Sequence, residues 1–283
     1  MSDELNSRVR ADFGRARFKA FLNRAWSAIS GQPTTLLSYD EIKERLRIGG
    51  PIYRGVKTVK VEQIVGSLNR YHQFDRAFLP VEDEIAERWQ NIDRAFYKEI
   101  SLPPVVLYKV GEVYFVVDGH HRVSVAREQG QDFIEAEVRE CSTRVNITPD
   151  LKLEDLNILG EKVQFLERTR LDVLRPQSRV RLTIPDGFDR MLEHIAVHRY
   201  FMGIDLKRDI SEEEAIVDWY DTVYLPIVKL VRKSKILKDF PGKTEGDLYL
   251  WVLDHQSYLA EEEGQSLQPP EEAARDFIET HEN

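Results

Sequence analysis

Residues 113–126 read Val-Tyr-Phe-Val-Val-Asp-Gly-His-His-Arg-Val-Ser-Val-Ala, and they carry the clearest structural signal in the chain. The first five are β-branched or aromatic, and an apolar run this short predicts a buried strand. The residues from Val123 to Gln129 predict a helix that ends at Gly130, because glycine suits the left-handed conformation that closes helices. The residues from Asp118 to Arg122 therefore form a tight turn from a strand into a helix.

The turn 118–122 has the chemistry of a phosphate site. The first amides of a helix have no partner within the helix, and they form the positive end of its dipole. Gly119 lets an anion approach the backbone closely, and His120, His121 and Arg122 add donors. The alternative is an ordinary turn with solvated polar side chains. Polar residues clustered on a loop of this kind favour the functional interpretation.

The same residues resemble a known family. The sequence at 118–122, followed by Ser124 and Ala126, resembles the signature of the ParB/sulfiredoxin-like superfamily. The apolar residues 59–64, the loop 66–76, a helix over 81–98 and the strands 102–107 and 134–138 are similar to its other elements. The resemblance covers residues 56–141. It is strongest to ParB-like nuclease-type proteins and to archaeal free-serine kinases.

This resemblance implies an α+β fold. We expect an N-terminal helical extension over residues 1–55, then a ParB/sulfiredoxin-like nucleotide-binding domain with a small mixed sheet over 56–145. A mainly α-helical domain over 146–260 and a mobile acidic tail over 261–283 complete the predicted organisation. The length of 283 residues also favours two domains over one.

The resemblance also implies a set of site residues. The ligand would be ATP, ADP or CTP with Mg²⁺, which prefers carboxylate and phosphate oxygens, and Asp118 is the predicted metal ligand. We predict Asp118, His120, His121 and Asp75 as catalytic residues. The predicted nucleotide-binding residues are Gly119, His121, Arg122, Ser124, Arg70 and Arg76.

The role of Asp75 has alternatives. The serine kinases of the superfamily place a catalytic acid in the region of the loop 66–80, where Asp75 is the nearest candidate and Gln73 the other. Acids among arginines usually form ion pairs, so a salt bridge to Arg70 or Arg76 is the competing interpretation.

Two departures from the superfamily restrict the chemistry. Partition-type ParB proteins carry a Glu-Asn-x-x-Arg element after the last strand, and residues 140–144 do not match it. Sulfiredoxin has a catalytic cysteine where this chain has His120, which excludes sulfinic acid reduction through a thiolate. Cys141, the one cysteine, is predicted to be a structural thiol. A single cysteine also excludes a disulfide framework.

Charge and hydropathy restrict the partners. The net charge is −9: residues 1–150 hold 22 basic and 22 acidic residues, and residues 151–283 hold 18 and 27. Such a balance argues against broad binding of nucleic acid. Residues 1–24 lack the apolar core of a secretory signal, and no apolar run is long enough to cross a membrane. We therefore expect a cytoplasmic bacterial or archaeal protein with no membrane partner, and a homodimer is an open alternative.

Two helical patterns are ambiguous. The basic helix over residues 8–24 is interpreted either as a surface for DNA or an acidic partner, or as a helix that packs on its own domain. His194 and His198 stand four residues apart and so share one helix face. They are interpreted either as metal ligands or as two interhelical hydrogen bonds.

Three functions follow from these observations. The first is Mg²⁺-dependent phosphoryl transfer or nucleotide hydrolysis at the turn 118–122. The second is a DNA-associated transcriptional regulator or nuclease. The third is a nucleotide sensor without catalysis, in which the helical domain meets a partner.

Overall fold

The computed structural model describes residues 2–30, 34–69, 72–152, 154–263 and 269–281. The chain forms two compact units, Met1–Leu156 and Asn157–Asn283. The first unit combines a mixed sheet with helices, and the described residues of the second are helical or irregular. The α+β prediction is therefore confirmed.

One six-stranded sheet organises the first unit, with strand order β1-β3-β5-β4-β6-β2. The strand 113–118 is β5, and it lies parallel to β3 on one side and antiparallel to β4 on the other. Strand β6 lies parallel to β4 and antiparallel to β2, which forms the sheet edge. The strands are β1 Leu37–Ser38, β2 Pro51–Lys60, β3 Ile64–Ser67, β4 Val105–Val110, β5 Val113–Asp118 and β6 Phe133–Cys141.

Helices cover this sheet and close its core. They are α1 Ser2–Ser30, α2 Tyr39–Arg45, α3 Ala86–Tyr97 and α4 His120–Glu128. Helix α1 places Phe13 edge-on against the buried Trp89 of α3, with ring centroids 5.5 Å apart. Its residues Phe13, Ala16 and Ala20 belong to the core of the unit. Helix α1 thus packs on its own unit, as one of the two interpretations of residues 8–24 has it.

The predicted extension over residues 1–55 differs from the structure at its C-terminal end. Strand β2 begins at Pro51 and pairs with β6 from there, so residues 51–55 belong to the sheet. Gly55, with φ of 84°, lies at a register shift between Tyr53 and Val56, which the strand accommodates as an irregularity.

The second unit is built from α5 Asp155–Thr169, α6 Leu171–Leu174, α7 Gly187–Leu206, α8 Glu212–Trp219, α9 Leu225–Ser234, α10 Glu245–Glu263 and α11 Pro270–His281. A π-helical segment, Tyr220–Tyr224, joins α8 to α9. The buried Trp219 donates a 2.9 Å hydrogen bond to the hydroxyl of Tyr249, and Tyr224 packs against both rings. Within the described residues, no helix has the length and apolar character needed to cross a membrane.

The predicted mobile tail over residues 261–283 differs from the structure. Helix α11 occupies residues 270–281 and buries Ala273, Ala274, Phe277 and Ile278. These residues recur at helical spacing and form an apolar face. The acidic composition of the segment reflects the opposite, solvated face.

Candidate functional site: the turn between β5 and α4

Gly119 makes the sharp turn between β5 and α4 possible. Its φ is 96° and its ψ is 24°, in the left-handed region. A Cβ atom at this position would lie 2.6 Å from Cγ1 of Val105 and 3.0 Å from the guanidinium of Arg122. Only glycine satisfies both the conformation and the close approach. The predicted strand, turn and helix are confirmed, with α4 ending just before Gly130.

His120 is buried beneath the turn rather than exposed upon it. It is 4% exposed, and its Nε2 lies 2.7 Å from Oγ of Ser67 in a hydrogen bond. Its ring stacks on Phe74 with ring centroids 6.3 Å apart. Ser67 ends β3, which is parallel to β5, so the hydrogen bond joins the carboxyl ends of two neighbouring parallel strands. Ligands of open α/β sheets bind outside such strand ends.

Ser67 is the member of this cluster that the sequence prediction missed. The available signal was the run Ile-Val-Gly-Ser at residues 64–67, where an apolar strand ends in a small hydroxyl residue. Because the partner residue lies 53 positions away, only knowledge of the strand order would have paired it with His120.

His121 and Phe74 form the neighbouring part of the turn. His121 is half-buried, and its ring meets Phe74 edge-on with centroids 5.5 Å apart. Phe74 thus contacts both histidines and closes the turn from the side of the loop 66–80. Phe74 is itself buried in the core, so it holds the two imidazoles in position from the protein side.

Arg122 and Asp118 form an ion pair at the mouth of the turn. Nη2 of Arg122 lies 2.6 Å from Oδ2 of Asp118, and Nη1 donates to the carbonyls of Pro103 and Pro104. The Arg122 side chain is 14% exposed, whereas that of Asp118 is 71% exposed. The arginine is therefore held in place by the protein, and the carboxylate faces solvent.

A groove of about 440 Å³ extends from Arg122 along α3 and α4. Its walls combine apolar side chains, among them Phe96, Ile100, Val125 and Ile134, with a similar share of polar surface. A concave surface of this size that combines apolar side chains with polar groups can receive a small molecule.

Asp75 does not lie on the turn as a predicted base would. Its carboxylate accepts hydrogen bonds from the amides of Ala77 and Leu79 at 2.9 and 2.8 Å and from Nδ2 of Asn23 at 2.9 Å. Burial raises the pKa of Asp75, and these hydrogen bonds together with the charge of Arg127 act against the rise. Both oxygens are thus committed to shaping the loop, and Arg76, one of the two arginines predicted to pair with Asp75, donates to the carbonyl of Leu151.

Two further predicted binding residues, Arg76 and Ser124, do not join the turn. Arg76 donates to the carbonyl of Leu151. Ser124 is buried on α4, where its Oγ accepts a 2.8 Å hydrogen bond from Nε1 of Trp89. A hydroxyl that satisfies a core tryptophan has a structural role. Arg70 lies outside the described residues.

Arg127 anchors the loop to α4. Its guanidinium donates to the carbonyls of Ile64 at 2.5 Å and Val61 at 3.0 Å, and it stacks over the ring of Phe78 at 5.0 Å. Burial lowers the pKa of Arg127, while the charge of Asp75 opposes the shift. The loop beside the turn is thereby tied to the same helix that carries the histidines.

The residues at the turn could bind Mg²⁺ only together with the phosphate oxygens of a ligand. Asp118 supplies one exposed carboxylate, and Mg²⁺ commonly takes one or two carboxylates together with phosphate oxygens. Among the described residues, no group of three or more His, Cys, Asp or Glu side chains is placed to hold a metal ion. His194 instead lies 3.1 Å from the hydroxyl of Tyr249, and His198 lies 2.7 Å from Asp218, which agrees with the hydrogen-bond interpretation.

Cys141 is the buried end of β6, and its Sγ lies 3.3 Å from the hydroxyl of Tyr39. Burial raises the pKa of the Cys141 thiol above its ordinary value. A thiol with a raised pKa is a poor nucleophile, so Cys141 fits the predicted structural role.

The basic residues of α1 largely engage the first unit itself. Arg8 lies over the ring of Tyr97 at 4.3 Å, Arg17 bonds Asp83, and Lys19 bonds Glu128. A basic face that is already paired offers less charge to phosphates.

Comparison with known proteins adds little to this description. No family model matches the chain, and no curated protein matches it. Among solved structures, a Pnob8-like ParB-N domain is similar with 11% sequence identity, and the match covers 82% of this chain and 98% of that chain with a TM-score of 0.21. A TM-score this low does not define a shared fold. What the site can do is therefore argued from its own residues.

Proposed function

We propose that the first unit binds a nucleotide, with its phosphates at the turn 118–122. The observation that carries the proposal is Gly119, whose left-handed conformation opens α4 at the carboxyl ends of β3 and β5. An anion at this point would meet the first amides of α4 and the positive end of its dipole. The missing Cβ leaves the backbone open to close approach.

Side chains around the turn support the same ligand. Arg122 is held by two carbonyls and by Asp118, so its charge is positioned before a ligand arrives. His121 follows Gly119 on the same turn of α4, and the buried Phe74 holds its ring edge-on. The groove next to Arg122, where apolar side chains alternate with polar groups, would receive the base and sugar of a nucleotide.

The chemistry that we propose is phosphoryl transfer or nucleotide hydrolysis with Mg²⁺. Asp118 would hold the ion, which would supply positive charge to the phosphates. Arg122 and His121 would neutralise the charge that develops on the transferred group. His120, fixed by Ser67 and Phe74, would hold the start of α4 in position.

A nucleotide sensor without turnover is the second candidate, and the position of Asp75 favours it. A general base must reach the proton that it removes. Asp75 has both oxygens engaged by Asn23, Ala77 and Leu79, so it cannot take that role without breaking its own loop. DNA binding is less favoured, because much of the charge on α1 is paired within the unit.

Nucleotide binding is tested by thermal unfolding of the full chain with ATP, ADP, CTP and GTP, each with and without Mg²⁺. A ligand that binds only the folded state stabilises it by about 2.7 kcal/mol at 100 times its Kd. Arg122→Ala should abolish the shift, whereas Arg54→Ala, at the edge strand β2, should retain it. If no nucleotide shifts the unfolding temperature, or if both variants respond like the wild type, the proposal is wrong.

The same samples distinguish the two candidates. Product analysis of any nucleotide that binds should show hydrolysis or transfer if the site is catalytic, and Asp118→Asn should then lose turnover. Tight binding without product identifies a sensor.

A further inference from the structure

Helix α7 is apolar on two opposite faces. One face packs into the second unit through the buried residues Phe188, Met191 and Ile195. The other face is exposed, although its residues are large and apolar: Val197 is 56% exposed, Tyr200 67%, Phe201 53% and Ile204 52%. A helix that is apolar all round is normally covered on all sides, and a contiguous exposed apolar patch marks an interaction surface.

The exposed residues form one stripe along α7. Their positions 197, 200, 201 and 204 follow the spacing i, i+3, i+4 and i+7, which places them on a single helix face. This is the spacing by which a helix anchors itself to an apolar partner. An open groove of about 720 Å³ runs beside Tyr200 and Ile204, where Ala196 and Gly203 leave room for a neighbouring helix.

Opposite charges stand at the two ends of the stripe, at equal distances from its centre. Glu193 precedes Tyr200 by seven residues and Lys207 follows it by seven, and both side chains are exposed. If two α7 helices pair antiparallel with Tyr200 at the centre, Glu193 of each lies opposite Lys207 of the other. A parallel pair would instead place like charges together. The stripe is therefore complementary to itself only in the antiparallel sense.

We propose that the exposed stripe of α7 binds the same stripe of a second copy of this chain, antiparallel and about a two-fold axis at Tyr200. Such an isologous interface uses one surface twice, as most homodimers do. Val197 of one copy then lies opposite Gly203 of the other, and Ala196 lies opposite Ile204. The inference concerns the second unit and does not rest on nucleotide binding.

The pairing is tested by disulfide formation in the full-length Cys141→Ser protein, which has no other cysteine. Tyr200→Cys should give a disulfide-linked dimer under mild oxidation, because the two-fold axis brings residue 200 next to its own copy. Glu193→Cys should not, because an antiparallel pair separates the two positions by 14 residues, or about 21 Å along the helix. Glu193→Cys combined with Lys207→Cys should cross-link again.

Charge reversal gives a test without cross-linking. In sedimentation equilibrium, Glu193→Lys should raise the dimer Kd by about tenfold, since each dimer loses two favourable charge pairs and gains two like-charge pairs. Glu193→Lys with Lys207→Glu should restore it. A protein that stays monomeric at high concentration, a dimer linked through Glu193→Cys alone, or a double swap no better than the single reversal would each overturn the proposal.

Discussion

Gly119→Ala tests two requirements at the turn, a left-handed backbone and the absence of a Cβ atom. The substitution keeps φ at 96° only at the cost of left-handed strain, about 1–2 kcal/mol for a residue with a Cβ. The new atom would also press on Cγ1 of Val105 at 2.6 Å and on the Arg122 guanidinium at 3.0 Å. Forcing an extra carbon into packed surroundings adds about 1–3 kcal/mol. The first unit should therefore lose about 2–5 kcal/mol of its free energy of unfolding.

Gly130→Ala is the matched control, because Gly130 ends the same helix with φ of 70° but has nothing within 4 Å of its virtual Cβ. Gly130→Ala should therefore lose only the stability that corresponds to the left-handed strain. Hydrogen exchange of the β5 amides reports the stability of the first unit by itself. Gly119→Ala should lose more than Gly130→Ala by about 1–3 kcal/mol, and it should also lose the nucleotide-induced stabilisation. Equal losses for the two variants would show that close packing does not restrict the turn.

Three further predictions concern buried polar groups. Burial raises the pKa of Asp93 to about 6, so the first unit should lose up to about 3 kcal/mol of its free energy of unfolding as the pH rises from 4 to 6. In urea unfolding, Asp93→Asn should reduce this dependence on pH, and an unchanged dependence would show that Asp93 does not cause it. Burial lowers the pKa of His194 to about 4, so the second unit should lose stability as the pH falls from 6.5 to 4, and His194→Gln should remove this dependence on pH. A pKa near 6.5 for His194 in a nuclear magnetic resonance titration would refute the prediction. Ser67→Ala removes the hydroxyl that bonds buried His120 and should cost about 1–3 kcal/mol in the same urea experiment, whereas a loss near zero would mean that the pair contributes nothing.

Local sequence was sufficient to predict the turn. The apolar run, the glycine and the helix that follow one another at residues 113–130 specify a strand, a turn and a helix through interactions within a few residues. The overall α+β class was an implication of the resemblance to the ParB/sulfiredoxin-like superfamily.

Contacts between segments that are distant in the sequence could not be predicted from local patterns. Ser67 meets His120 only because β3 and β5 are parallel neighbours, and no periodicity reports strand order. Asp75 was predicted to be catalytic from the resemblance to the serine kinases, and the sequence of the loop does not tell a carboxylate that faces a ligand from one that binds its own amides. Residues 270–281 were predicted to be mobile because of their acidic composition, although the apolar spacing of a helix was already present in the sequence.

The pairing of β2 with β6 has a consequence for synthesis of the chain. Strand β2 ends at Lys60, and its partner β6 is complete only at Cys141, 81 residues later. At the usual rate of translation this interval is about 4–16 s, during which β2 has no strand to pair with. Its composition suits the delay: Pro51, Arg54, Lys57 and Lys60 are the charged and proline residues that keep an unpaired strand from joining another chain. The residues that protect this sheet edge in the folded protein thus also protect the nascent chain from aggregation.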